Sequence, residues 1–153
     1  MTRPLTTEAL VVSPLTSGDK SSAIQRLAQT LADAGRVTDL PAFLHDVAAR
    51  EDQMASGLPG GIGVPHCRSP YVSVPSIAVG ISPAGVDFGA PDGPAHLIFL
   101  IAAPADSHQG HLVILAALAR KLIHLDFKNA LLAAKSATDV AAMITAEVLP
   151  RAQ

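Results

Sequence analysis

The segment from His96 to Ala102 constrains the fold of this chain more than any other. It reads His-Leu-Ile-Phe-Leu-Ile-Ala, and nearly every residue in it is apolar. A strand with one face in water alternates apolar and polar residues, so a continuous apolar run is typical of a central strand that is covered on both faces. We therefore predict a sheet that has helices packed on each side of it.

Apolar periodicity and capping residues predict five helices around this strand. Their predicted starts are Ser17 or Asp19, Asp39, Ser107, Asp126 and Ser136. The first helix is expected to end at Gly35 and the third near His124. Ser136 is followed three residues later by Asp139, which is a capping-box arrangement.

Shorter β segments are predicted at 8–13, before the first helix, and at 64–66 and 76–82, between the second and third helices, whereas 83–94 is expected to form turns. Because helices and strands alternate irregularly, the predicted class is α/β, with α+β as the alternative: a mixed β-sheet flanked by helices. A length of 153 residues suits one domain over 1–153. The ends, about 1–6 and 150–153, are expected to be flexible.

Composition excludes several classes of function. The chain has 11 Lys and Arg against 13 Asp and Glu, a net charge of −2, and only 3 % aromatic residues with no Trp. It therefore lacks the basic surface and the stacking side chains with which proteins bind nucleic acids. No apolar run approaches the ~18 residues that a membrane-spanning helix needs. We expect no nucleic-acid partner and no membrane insertion. A single Cys and the absence of a signal-peptide pattern favour a cytoplasmic location.

A Gly-rich segment that ends in a histidine is the most pointed candidate for a functional site. Residues 56–63 contain four glycines and a proline, which predicts a loop, and a second proline holds the backbone before His66 extended. Glycines let backbone N–H groups approach an anion, so Gly60, Gly61 and Gly63 are candidates for a phosphate-binding loop. The segment lacks the Gly-Lys-Ser/Thr ending of a P-loop, so a nucleotide site is not predicted.

Two neighbours of this histidine point in different directions. In an extended chain, residues two apart project to the same side, so Arg68 can join His66 and bind a phosphoryl group. Cys67 projects to the opposite side and cannot use that imidazole as its base. We therefore predict a small buried thiol there and not a nucleophile.

A second pair of histidines leaves two alternatives open. His108 and His111 share one face of a predicted helix because they are three residues apart. They could ligate zinc together with His66 and Asp106, or one of them could flank an anion at the helix N-terminus. His-x-x-His without a Glu or Cys partner is a weak metal signal, so neither a metal nor a cofactor is predicted.

Two blocks of this sequence resemble a known family. The first is Arg50-Glu51 followed by Ser-Gly-Leu-Pro-Gly-Gly-Ile-Gly-Val-Pro-His over 56–66. The second is Phe-Leu-Ile-Ala-Ala-Pro over 99–104, Gly-His-Leu over 110–112 and Leu-Ala-Ala-Leu-Ala over 115–119. They resemble the fructose/mannitol family of enzyme IIA components (EIIA) of the phosphoenolpyruvate-dependent sugar phosphotransferase system (PTS), with the fructose type preferred. Two positions depart from the family pattern, which usually has Gly at Pro59 and often has Ala at Gly63.

The resemblance implies a phosphorylated histidine and the residues that assist it. His66 matches the histidine that the family phosphorylates, His111 matches its second active-site histidine, and Arg50 matches an arginine that approaches the same site. Arg68 is added from the residue analysis alone. A neutral imidazole is nucleophilic, and phosphoryl transfer needs mainly positioning and charge stabilisation, which these groups can supply.

The resemblance also implies partners. The family accepts a phosphoryl group from the small carrier protein HPr and passes it to a cysteine of an enzyme IIB or IIBC, so any membrane contact would be peripheral and through that partner. The chain would then be a phosphotransferase that works through a phosphohistidine. The main alternative is a nitrogen-regulatory-type homologue that controls other proteins by its phosphorylation state. A third interpretation is a zinc-dependent hydrolase that uses His66, His108 and His111.

Overall fold

A mixed β-sheet forms the centre of the molecule. The computed structural model describes residues 6–53, 55–58, 60–106, 125–134 and 136–152. Six strands lie within these ranges: β1 (Val11–Val12), β2 (Gly57–Leu58), β3 (Ile62–Gly63), β4 (His66–Ser69), β5 (Ser76–Val86) and β6 (Ala95–Pro104). Their order is β1-β5-β6-β3-β2, and β4 also pairs with β6. β5 is antiparallel to β6, whereas β3 and β4 are parallel to it, so the sheet is mixed as predicted.

Helices cover both faces of this sheet. The described helices are α1 (Lys20–Asp33), α2 (Leu40–Gln53), α3 (Leu125–Ala133) and α4 (Ala137–Ala152). Alternate residues of β6 belong to different buried clusters: Ile98 and Leu100 pack with α1 and α2, whereas Phe99 and Ile101 pack with α3 and α4. The apolar run that predicted a central strand is therefore confirmed, because both of its faces need apolar side chains.

Capping side chains begin three of these helices as predicted. Asp19, Asp39 and Ser136 each accept a hydrogen bond from the backbone N–H three residues further on, at 2.7, 3.1 and 3.1 Å. Each bond satisfies a donor that the first helical turn leaves without a partner. The helix predicted over 107–124 lies outside the described residues.

Two predicted strands have different bounds in the structure. Segment 8–13 contains a 3-10 turn over Glu8–Leu10, and only the two residues of β1 pair with β5. The strand predicted over 76–82 continues through the expected turns to Val86. A register shift between Ile81 and Val86 absorbs the proline and glycine there, which is how a β-bulge tolerates residues that interrupt a regular ladder.

The Gly-rich segment 56–63 is a short hairpin and not a loop. β2 and β3 pair antiparallel, and Gly60 and Gly61 make the turn with φ angles of 93° and 78°. β3 leads through Pro65 into β4, and both lie alongside β6. The strand predicted over 64–66 is therefore shifted along the chain in the structure: it begins at His66 and ends at Ser69.

Among the described residues, no helix has the length and apolar character needed to cross a membrane.

Candidate active site

An open depression of about 510 Å³ lies between α2 and β4. Its lining residues are Asp46, Ala49, Arg50 and Gln53 from α2, and His66, Cys67, Arg68 and Pro70 from β4 and the turn after it. The structure therefore brings together three of the residues predicted from the sequence, His66, Arg50 and Arg68. They meet because α2 packs directly against β4.

Two hydrogen bonds define the state of the His66 ring. Nδ1 lies 3.0 Å from the carbonyl oxygen of Val64, and Nε2 lies 3.1 Å from Nη2 of Arg50. A carbonyl oxygen only accepts and a guanidinium only donates, so the contacts assign the proton to Nδ1 and the lone pair to Nε2. The ring is thus a neutral imidazole whose Nε2 lone pair faces the Arg50 guanidinium.

Arg50 reaches this ring from the last turn of α2. The side chain is half-buried, and its Nη1 donates to Oε1 of Gln53 at 3.4 Å. The next residue, Glu51, is buried and paired with Lys20 of α1 at 3.3 Å, which ties this end of α2 to the neighbouring helix. A basic residue at a helix C-terminus is also favoured by the helix dipole.

Arg68 and Cys67 alternate along β4 as the extended chain requires. Arg68 is exposed and lines the depression together with His66. Cys67 is 5 % exposed, and its side chain belongs to the buried cluster on the side of α1 and α2. Burial, and secondly the charge of Asp46, raise the pKa of the Cys67 thiol to about 11. The predicted small buried thiol is therefore confirmed.

The three glycines predicted to cradle phosphate have other partners. The Gly60 N–H donates to the Asp92 carboxylate at 2.9 Å, and the Gly61 carbonyl accepts backbone N–H groups at the start of β6. Gly63 lies beneath the Phe88 ring, where an added Cβ would come within 2.9 Å of ring carbons. None of these glycines is among the described residues that line the depression around His66. A phosphate-binding role for them stays a prediction. The glycines form the hairpin turn and leave room for Phe88.

The other histidines divide into two groups. His45 is exposed on α2, and Nδ1 of His96 lies 2.9 Å from the Ser82 carbonyl, so these two occupy surface and packing positions as predicted. His108 and His111 lie outside the described residues, as does His124. Within the described ranges, no group of three or more His, Cys, Asp and Glu side chains could hold a metal ion.

Sequence reasoning missed two polar residues of the site, Asp46 and Gln53. Both lie on the stripe of α2 that contains Arg50, at spacings of four and three residues. Once Arg50 was a candidate, this helical spacing could have indicated them. Ser69, which donates a hydrogen bond to Asp46, could not have been found in this way because it lies on β4 and not on α2.

Comparison with known proteins identifies relatives over most of the chain. Residues 4–147 match the family model for the phosphoenolpyruvate-dependent sugar phosphotransferase system, EIIA 2. The chain is 43 % identical over 118 residues to the PTS system fructose-specific EIIA component of Haloferax volcanii, covering 76 % of this chain and 77 % of that protein. It is 35 % identical over 133 residues to the fructose-specific EIIABC component of Bacillus subtilis, covering 86 % of this chain and 21 % of that longer protein.

The fold also matches solved structures. The nitrogen regulatory protein IIA-Ntr from Neisseria meningitidis superimposes with a TM-score of 0.84 at 27 % identity, over 92 % of this chain and 97 % of that one. A single domain with a helix-flanked mixed sheet is therefore the architecture that this chain shares with IIA proteins.

Proposed function

The chain belongs to the EIIA 2 family of the sugar phosphotransferase system, and from this premise we propose that it carries a phosphoryl group on Nε2 of His66. The observation that supports the proposal most directly is the ring geometry. The Val64 carbonyl engages Nδ1, so the lone pair is on the nitrogen that borders the depression. A neutral imidazole in this tautomer is ready to act as a nucleophile without first losing a proton.

The proposed reaction consists of two phosphoryl transfers, one onto His66 and one from it. The Nε2 lone pair attacks the phosphorus of a donor phosphohistidine whose other ring nitrogen is protonated, and a P–N bond forms on His66. The donor's P–N bond breaks, and its electron pair returns to the donor ring, which leaves as a neutral imidazole. In the second transfer, a cysteine thiolate of the acceptor attacks the same phosphorus, and the electron pair of the P–N bond returns to Nε2. Both steps require alignment and charge stabilisation, for which Arg50 and Arg68 border the depression.

The proposed donor is HPr and the proposed acceptor is an enzyme IIB, alone or as part of a IIBC. An open depression suits this role, because the phosphorus on a partner protein must reach Nε2 without entering a closed pocket. Fusion of the A, B and C components in the B. subtilis relative supports an acceptor of the IIB type. The two fructose-specific relatives support fructose as the sugar whose uptake is served. His111 is proposed as the second active-site histidine from its match to the family pattern alone.

Labelling from phosphoenolpyruvate tests the proposal. Purified protein is incubated with [³²P]phosphoenolpyruvate, enzyme I and HPr, and acid-labile, base-stable label is counted. We expect His66→Ala to abolish the label, since no other group is proposed to accept it. His45→Ala is the matched control, because His45 is exposed on α2 and does not line the depression; it should label like the wild type. Full labelling of His66→Ala would refute the proposal.

A regulatory role is the second candidate, favoured by the structural match to IIA-Ntr. In that case His66 would still be phosphorylated, but the phosphorylation state would control other proteins. A panel of IIB proteins separates the two roles. Rapid loss of label to a fructose-type IIB supports transport, whereas retention of label in the presence of every IIB would favour regulation.

A further inference from the structure

A second link joins α2 to β4, beyond the contact between Arg50 and His66. Ser69, the last residue of β4, is fully buried, and its Oγ donates to Oδ2 of Asp46 at 2.7 Å. The same oxygen accepts the Tyr71 N–H at 3.2 Å, so the hydroxyl both donates and accepts a hydrogen bond. A hydroxyl that donates to a carboxylate makes a short, charge-assisted bond, which is stronger than a bond between neutral groups.

The two hydrogen-bonded contacts lie at different positions along the interface between α2 and β4. Arg50 follows Asp46 by one helical turn, about 6 Å along α2, and Ser69 follows His66 by about 10 Å along β4. The helix therefore meets the strand at two separated points, with the chains running in opposite directions. Apolar packing and the ion pair of Glu51 with Lys20 already hold α2 in place, but one polar contact to β4 would still permit small rotations of the helix about its axis and small shifts along the strand. Two contacts restrict both movements.

We propose that Asp46 and Ser69 form a positioning pair that holds the Arg50 guanidinium in register with Nε2 of His66. The inference rests on the proposed function, because it concerns phosphoryl transfer at that site. Asp46 acts through the orientation of α2 and does not contact the phosphoryl group. This role also explains why a carboxylate borders a depression proposed to receive an anion: one of its oxygens is already engaged by a buried hydroxyl.

Removal of the bond without removal of the charge tests the positioning role. Ser69→Ala leaves the Asp46 carboxylate in place but deletes its donor. We expect the first-order rate of transfer from [³²P]HPr to fall about 10- to 100-fold, because misplacement of a catalytic group by about 1 Å has effects of that size. The HPr concentration that gives half the maximal rate should stay unchanged, since the docking surface is intact.

Two substitutions at Asp46 separate positioning from charge. Asp46→Ala removes the acceptor and should match Ser69→Ala, and it also tests the same contact if Ser69→Ala does not fold. Asp46→Asn retains an amide oxygen for the Ser69 hydroxyl and should recover most of the rate lost in Asp46→Ala. Equal rates for the Asn and Ala variants, or a gain in rate on loss of the charge, would assign Asp46 an electrostatic effect and overturn the proposal.

A readout independent of phosphorylation completes the test. The ¹⁵N shift of His66 Nε2 reports the guanidinium that donates to it, so Ser69→Ala should move this shift towards its value in Arg50→Gln. Asp46→Asn should stay near the wild-type shift. An unmoved Nε2 shift in Ser69→Ala overturns the positioning role even if wild-type protein takes up label. Failure of the wild type to take up label would overturn the proposed function. In that case the ¹⁵N shift of His66 Nε2 would still show whether Asp46 and Ser69 position Arg50.

Discussion

Replacement of Arg50 by glutamine separates the two roles that the site geometry gives to this arginine. In the resting protein, Nη2 of Arg50 donates to the lone pair of His66 Nε2 at 3.1 Å. Phosphorus has to approach along that same lone pair, so the guanidinium must leave Nε2 before the P–N bond forms. Once displaced, it is well placed to bind the equatorial oxygens of the incoming phosphoryl group. Glutamine is shorter and neutral and can do neither as well.

The expected magnitude is a difference between these two effects. Two charge-assisted hydrogen bonds to phosphoryl oxygens contribute about 1.5–3 kcal/mol each. The resting contact to the ring nitrogen also has an ionised donor, so it contributes about 1.5–3 kcal/mol; it is lost in the reaction, and its removal recovers that amount. A net loss equal to one such bond remains, about 1.5–3 kcal/mol, which lowers the transfer rate roughly 10- to 160-fold at 1.36 kcal/mol for each factor of ten.

Rapid-quench measurement of transfer from [³²P]HPr gives this rate directly. Arg26→Gln is the control, because Arg26 is exposed on α1 and does not line the depression. Arg68→Gln in the same assay should show a smaller loss, since Arg68 lines the depression but Arg50 is the arginine whose guanidinium meets Nε2. A rate for Arg50→Gln within about threefold of the wild type would refute the reasoning. An increase would mean that release of the lone pair outweighs the contribution of the arginine to the transition state.

Three further predictions concern Gly63 and Cys67. Gly63→Ala places a Cβ 2.9 Å from Cγ and Cδ2 of Phe88, which is 1 % exposed, so we expect a loss of about 1–3 kcal/mol in the free energy of unfolding, measured in urea; an unchanged midpoint would show that the ring has room to move. For Cys67, a pKa of about 11 in place of 9.0 reduces the thiolate fraction at pH 8 about 100-fold, so iodoacetamide should react at least that much more slowly with the native chain than with the urea-unfolded chain. Equal alkylation rates of the native and the unfolded chain at pH 8 would contradict the burial of Cys67. Because the pKa of this thiol is higher in the folded chain than in the unfolded one, the unfolded thiol ionises first as the pH rises. The stability contributed by the neutral buried thiol should therefore be lost between pH 9.0 and about 11.

Sequence periodicity predicted the elements that bury apolar side chains. α1 could be recognised because its buried residues recur at helical spacing, and its start because Asp19 caps it. β6 could be recognised because both of its faces are covered from Leu97 to Ala103, where every residue is apolar and buried. In each case the physical cause of the structure leaves a local mark in the sequence.

The short strands leave no such mark. β2 and β3 are two residues each, and their pairing depends on β6, more than thirty residues away in the sequence. Glycines in this hairpin resemble those of an anion-binding loop, yet the Gly60 N–H is taken by Asp92 and Gly63 makes room for Phe88. Both partners lie far along the chain, so composition alone could not distinguish a hairpin turn from a phosphate cradle.

The candidate site itself was predictable only in part, because it lies at a junction and not within one element. His66 could be recognised from its own neighbours, whereas Arg50 was found through the resemblance and the bond between Asp46 and Ser69 only through the structure. These residues meet because the adjoining stripe of the same face of α2 is packed into the core through Phe43 and Val47, which are 0 % and 1 % exposed. The core packing therefore brings α2 against β4, and the proposed positioning pair of Asp46 and Ser69 then orients the guanidinium towards Nε2. A sequence motif can therefore identify His66 as the reacting group, but the position of Arg50 relative to it depends on how α2 packs in the folded chain.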